Sequence, residues 1–228
     1  MTQLSELTWA EVGAQRLAIV PVGSVEQHGP HLPLDTDGVI ASSVANAVAI
    51  RLGAIVAPAI AYGSSGEHQG FCGTTSIGTN VLRSVLIELA RSIKTWADAV
   101  LFVNGHGGNR ASLVTATQKL RAEGHAVAWS ACSTPDSDLH AGRTETSLMM
   151  FLRPEAVRLN LCEPGDLRSL PEILPTLRAR GVAAVSANGV LGDPTGANAA
   201  EGARVMDEMC QAVYTAGLSL IRLGAARA

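Results

Sequence analysis

The sequence of 228 residues is short of aromatic side chains, at 4%, and of charge, at 16%. So little charge beside 47% hydrophobic residues excludes a disordered chain and points to a well-packed globular domain. Basic surplus is also missing: a formal net charge of -3 leaves no electrostatic footprint for nucleic acid or for an anionic membrane surface. Paired cysteines are absent too. Cys72, Cys132, Cys162 and Cys210 stand far apart with no C-x-x-C spacing, which excludes a zinc knuckle or a dithiol redox motif and leaves reduced thiols as the expectation. No apolar run approaches the roughly 20 residues that span a bilayer, and Met1 to Gln15 lack the basic start and apolar core of a secretory signal. A soluble cytoplasmic protein with no nucleic-acid or membrane partner is expected. Its length suits one domain over residues 1–228, burying about 70% of its unfolded surface.

What is present alternates between two periodicities. Short β-rich apolar runs at 17–23, 54–62, 97–103 and 126–131 read as buried strands. Segments with apolar residues at helical spacing lie between and after them, at 38–52, 80–96, 111–123, 144–152 and 199–223. In the second of these Val81, Leu82, Val85, Leu86, Leu89, Ile93 and Trp96 are expected on the inner side. The last should bury Val205, Met209, Ala212, Val213, Ala216 and Leu220. Residues 6–15 carry a weak helical pattern, and 163–181, with Pro164, Pro171 and Pro175, reads as irregular. Strands alternating with helices predict an α/β class with a mostly parallel central sheet and helices on both faces.

The densest chemistry lies in Ser24-Val-Glu-Gln-His-Gly-Pro-His-Leu-Pro-Leu-Asp-Thr-Asp37. Glu26 and His28 are two apart, so an extended segment projects both from one face. Asp37 falls at a helix start, where the dipole favours a carboxylate. Further on, Asn104-Gly-His-Gly-Gly-Asn-Arg110 has the pattern strand, tight turn, helix. This places His106 beyond a strand's carboxyl end, where open α/β sheets bind ligands. Glu145 opens the helix after a polar loop. Glu26, His28, Asp37, His106 and Glu145 offer oxygen and nitrogen without thiolate, a set that suits Zn, Mn or Fe(II).

These five are enough for two divalent ions sharing a carboxylate, the arrangement that ionises water and polarises a carbonyl. Amide hydrolysis is the natural use, with His140 as proton carrier. His68 in the long loop 63–78 and Asn109 are candidate substrate contacts. Arg143 or Arg110 is a candidate partner for a peptide carboxylate. Structural readings stand beside these: a proline-stiffened polar loop, Asp37 as an N-cap, Glu145 as a dipole-stabilising acid, or a metal-held scaffold without catalysis.

The motifs also resemble those of the creatininase family of metal-dependent amidohydrolases. The segments 21–37, Gly73-Thr-Thr-Ser76, Asn104-Gly-His-Gly-Gly-Asn109, and His140 followed by Glu145-Thr-Ser-Leu148 occur in family order. The resemblance implies a three-layer α/β/α sandwich, a dinuclear centre held by Glu26, His28, bridging Asp37, His106 and Glu145, a catalytic His140, and a homo-oligomer. In one place the chain departs from the pattern: creatinine-hydrolysing members carry a glutamate where this sequence has Gly108, so creatinine is not the expected substrate. His140-Ala-Gly-Arg-Thr-Glu-Thr-Ser147 and 188–196 look most like members of the mycofactocin system. That implies a peptidase releasing a C-terminal Val-Tyr dipeptide from a modified precursor peptide, the alternative being hydrolysis of a small cyclic amide or formamide.

Overall fold

The computed structural model describes residues 2–225. The runs Ala18-Ile-Val-Pro-Val22 and Val100-Leu-Phe-Val-Asn104 are buried at every residue, as strands covered on both faces must be. They are β2 and β4, the paired centre of an all-parallel sheet, in register from Ala18↔Val100 to Val22↔Asn104. With β1 (Thr2–Gln3), β3 (Ile55–Val56) and β5 (Val127–Ala131), the order across the sheet is β1-β3-β2-β4-β5. The helices are α1 (Trp9–Val12), α2 (Thr36–Leu52), α3 (Thr79–Ile93), α4 (Arg110–Ala122), α5 (Arg143–Leu152), α6 (Leu170–Arg180) and α7 (Ala199–Ala225).

Strand alternation divides the core in two. Leu17, Ile19, Leu101 and Val103 pack with α2, α5 and α7, whereas Ala18, Val20, Val22, Val100 and Phe102 pack with α3 and α4. The result is the expected α/β/α sandwich. From β2 the chain crosses to β3 on one side, and then returns past β2 to β4 on the other. The carboxyl ends of β2 and β4 therefore flank the switch point, where the connections part and leave a crevice.

Several local expectations need correction. The run at 54–62 yields only the two-residue β3 and an isolated bridge between Val22 and Ile60; the ladder breaks between Ala57 and Ile60, opposite Pro21 of β2, which has no amide hydrogen to donate across to it. The face of α3 is rotated: Leu82, Leu86, Ile87, Ala90 and Ile93 are buried, while Val81 and Leu89 are 54% and 38% exposed. Ala212 likewise points outward on α7. Within residues 6–15 the α-helix is only the single turn of α1, with Trp9 91% exposed.

The largest difference is α6, which forms where the sequence reads as irregular. Ser169 and Glu172 close a capping box and Pro171 sits in the first turn, where a missing N–H costs nothing. Pro175 lies inside the helix, and the bond it cannot make is to that same first turn. Ile173 and Leu177 then anchor α6 in a small separate core with Phe71, Val182 and Leu191. No described helix is long and apolar enough to cross a membrane.

Candidate metal centre

Three chain segments meet at the switch point. The loop after β2 supplies Glu26 and His28, the start of α2 supplies Asp37, and the turn after β4 supplies His106. Their closeness depends on glycine. A Cβ on Gly105 would stand 2.3 Å from the Asp37 carbonyl oxygen, and one on Gly23 would stand 2.6 Å from Gly38 Cα. The missing side chains let β4 and β2 end directly against α2.

Asp37 lies at the centre. Its Oδ1 is 3.1 Å from His28 Nε2 and its Oδ2 is 3.3 Å from His106 Nδ1, while the Ser24 hydroxyl donates to Oδ2 at 2.6 Å. Asp37 is therefore no N-cap; that position is Asp35. Glu26 Oε1 is 3.1 Å from His106 Nδ1, 3.4 Å from His68 Nε2 and 3.8 Å from His140 Nδ1. Glu145, in the first turn of α5, brings Oε2 to 3.8 Å from His28 Nε2. All five expected ligands and His140 thus converge.

Outer contacts turn the rings toward this centre. His28 Nδ1 lies 3.1 Å from the Glu26 carbonyl and His106 Nε2 lies 3.1 Å from the Ser64 carbonyl. Donating N–H there leaves the other ring nitrogen to face inward, as metal-ligating histidines are commonly held. Glu26 gives the strongest test of fit. Its side chain is 0% exposed and neither carboxylate oxygen accepts a hydrogen bond, a costly state that a bound cation relieves. Groups such as Glu26, His28 and Asp37 have ligand atoms close enough to share one ion.

Electrostatics express the same crowding. Burial opposes charge on His28, yet the carboxylates of Asp37, Glu145 and Glu26 outweigh it and lift its pKa to about 10. Burial would likewise raise Asp37, but His28 and His106 hold it well below the usual carboxylate range. Burial pushes Glu145 up to about 7 against the pull of His28. His140 is driven well below the ordinary imidazole value, by burial and then by neighbouring His28, so it stays neutral.

The expected substrate contacts divide. His68 is buried beside Glu26 and lines a cleft of about 1320 Å³ that opens over the cluster. Asn109 is spent on structure: its amide donates to the Gly23 carbonyl and to Asn104, and its oxygen accepts from Ser64 N. Arg143 points elsewhere, since its guanidinium is bound to Glu201 at 2.7 Å in a separate surface hollow. An adjacent carboxylate captured it, which sequence spacing does not reveal.

Two residues not foreseen complete the site. Gln27 donates to His68 Nδ1 at 2.9 Å and to the Gly189 carbonyl at 3.0 Å, and its own carbonyl accepts from His140 Nε2 at 2.8 Å. Strand-like alternation, which turns Gln27 away from Glu26 and His28, was the available signal. Glu67 stands beside Gly108. A Cβ there would meet His106 Nε2 and the Ser64 carbonyl at 2.4 Å and Glu67 Oε1 at 2.5 Å, so this carboxylate, 3.6 Å from His106 Nε2, shares with them the space a side chain at 108 would need.

The family model described as "Creatininase: Creatinine amidohydrolase" matches residues 5–216. The chain belongs to the creatininase family. The "Mycofactocin precursor peptide peptidase" of Mycobacterium ulcerans is 51% identical over 89% of this chain and 82% of that protein. The "Creatinine amidohydrolase" of Pseudomonas putida is 32% identical over 69% and 74%. A solved structure described as "Creatininase Mn" superposes with a TM-score of 0.77 at 26% identity, covering 94% of this chain and 96% of that one. The creatininase family is metal-dependent, and the cluster at the switch point supplies groups for such a centre.

Proposed function

We propose that the chain is a metal-dependent peptidase that hydrolyses an amide bond near the C-terminus of a modified mycofactocin precursor peptide, releasing a Val-Tyr dipeptide. The observation that carries this reading is 51% identity, over 89% of the chain, to a mycofactocin precursor peptide peptidase. A cleft of about 1320 Å³ over the carboxylate and imidazole cluster is in keeping with a peptide. Glu26, His28, Asp37, His106 and Glu145 would hold two divalent ions, Zn, Mn or Fe(II). Such ions supply Lewis acidity that ionises water near neutral pH and polarises a carbonyl.

The protein's own groups do the rest. His140 is neutral, with Nε2 tied to the Gln27 carbonyl and Nδ1 turned to the cluster. Its Nδ1 receives the proton from the attacking water and returns it to the amide nitrogen as the C–N bond breaks. His68, oriented by Gln27, lines the cleft beside Glu26 and is a candidate substrate contact. A mass-spectrometric time course of metal-loaded protein with the modified precursor peptide, run beside creatinine and a chelated control, tests the reading. Chelator-sensitive release of the dipeptide is expected. Intact peptide with faster creatinine turnover would move the assignment to small cyclic amides.

A further inference from the structure

We propose that Arg110, Arg178 and Arg180 make the outer wall of the cleft a recognition surface for carboxylates, so that the protein selects acidic peptides. The proposal rests on the peptidase reading and names the class of peptide. Arg110 stands in the first turn of α4, and Arg178 and Arg180 in the last turn of α6; all three line the cleft. Arg143, Arg153 and Arg168 are neutralised within the chain, by Glu201, Asp35 and Asp166. Among the described residues Arg110, Arg178 and Arg180 have no ion-pair partner, and unlike other unpaired arginines such as Arg16, Arg51 and Arg83 they line the cleft. The Arg110 guanidinium has an aromatic neighbour instead, 5.6 Å from the Trp129 ring centre.

Their positions do not serve the helices equally. Cations at the end of α6 complement its dipole, but one in the first turn of α4 opposes the partial positive charge there. Helix stability therefore does not account for Arg110. The cleft is also polar in the electrical sense. Its floor bears Asp37 and Glu145, which would be committed to the ions, and Glu67 lies beside them, whereas the wall bears cations that bind peptide carboxylates through paired hydrogen bonds. Leu174 and Leu177 line the same wall, and the small core around Ile173 and Val182 fixes α6 in place. A peptide lying under α6 with glutamate or aspartate side chains turned outward meets complementary charge.

Anisotropy of a labelled Glu-rich peptide and of its Gln-substituted counterpart, each titrated with the metal-loaded full chain, gives the test. The acidic peptide is expected to bind about tenfold tighter at low ionic strength, with the margin shrinking as salt rises. Arg178→Gln with Arg180→Gln, and separately Arg110→Gln, should reduce that margin while leaving the neutral peptide's affinity, the metal content and the melting temperature unchanged. Equal affinities for the two peptides, or equal weakening of both in the variants, would overturn the proposal. Cleavage of the modified precursor peptide is followed by mass spectrometry with the same protein preparation: absent cleavage there counts against the peptidase reading, and the binding margin decides the arginine wall.

Discussion

Glu26 is the residue whose surroundings are hardest to satisfy without a cation, because its buried oxygens accept no hydrogen bond. His140 differs in kind: its ring is anchored by the Gln27 carbonyl and is free to move a proton. Replacing His140 with Ala should lower peptide cleavage by about 10² to 10⁴-fold while metal content, read by elemental mass spectrometry, stays the same. An unchanged rate would favour a metal-held scaffold.

The charges at the site also set a pH dependence for the metal-free protein. The folded pKa of His28 is raised to about 10 and that of Glu145 to about 7. Each group binds its proton more tightly folded than unfolded, so its contribution is whole at low pH. For His28 it is full below about 6.5, the unfolded value, and is lost as pH rises toward 10. Thermal melts of chelated protein should fall across that interval. Because His28 must shed its proton to ligate, metal affinity should rise over the same range, as competition titrations at several pH values would show.

At the level of elements, the site depends on how closely strand ends meet a helix start. Gly105→Ala would press a methyl group against the Asp37 carbonyl, 2.3 Å away. It should destabilise the protein by about 1–3 kcal/mol, measured as a lower urea midpoint. The element hardest to read in the sequence is α6: its prolines suggest irregular chain, and its helix depends on a capping box and on distant partners in the small core. The rotated face of α3 was hidden for a related reason, since Ile87 and Ala90 gain burial only against the sheet and α4.

Across the whole molecule, the strand order β1-β3-β2-β4-β5 puts the switch point where three loops carry acids and imidazoles. Bound ions would therefore link segments distant in sequence and stabilise the fold by mass action. Chelation should lower the melting temperature, and restoring free metal to about 100 times its dissociation constant should recover about 2.7 kcal/mol. A melting temperature indifferent to both treatments would contradict a tightly held centre. The same scale explains why the cleft is wide, since α6 stands on its own small core and lines the cleft together with the start of α4.

By itself the sequence determined the alternation of strands and helices and the α/β class, and it marked Glu26, His28, Asp37, His106, His140 and Glu145 as the candidate site residues. These follow from local rules: periodicity sets the elements, and side-chain chemistry marks the motifs. Only the tertiary structure decided which neighbours claim each side chain. Arg143 is taken by Glu201, Asn109 is consumed in bracing the Gly23 and Ser64 backbone, Glu67 shares the space beside Gly108 with His106 and Ser64, and Gln27 orients two histidines. Hydrogen bonds and ion pairs form between groups within a few ångströms, and only the folded chain brings residues so far apart in sequence to that distance.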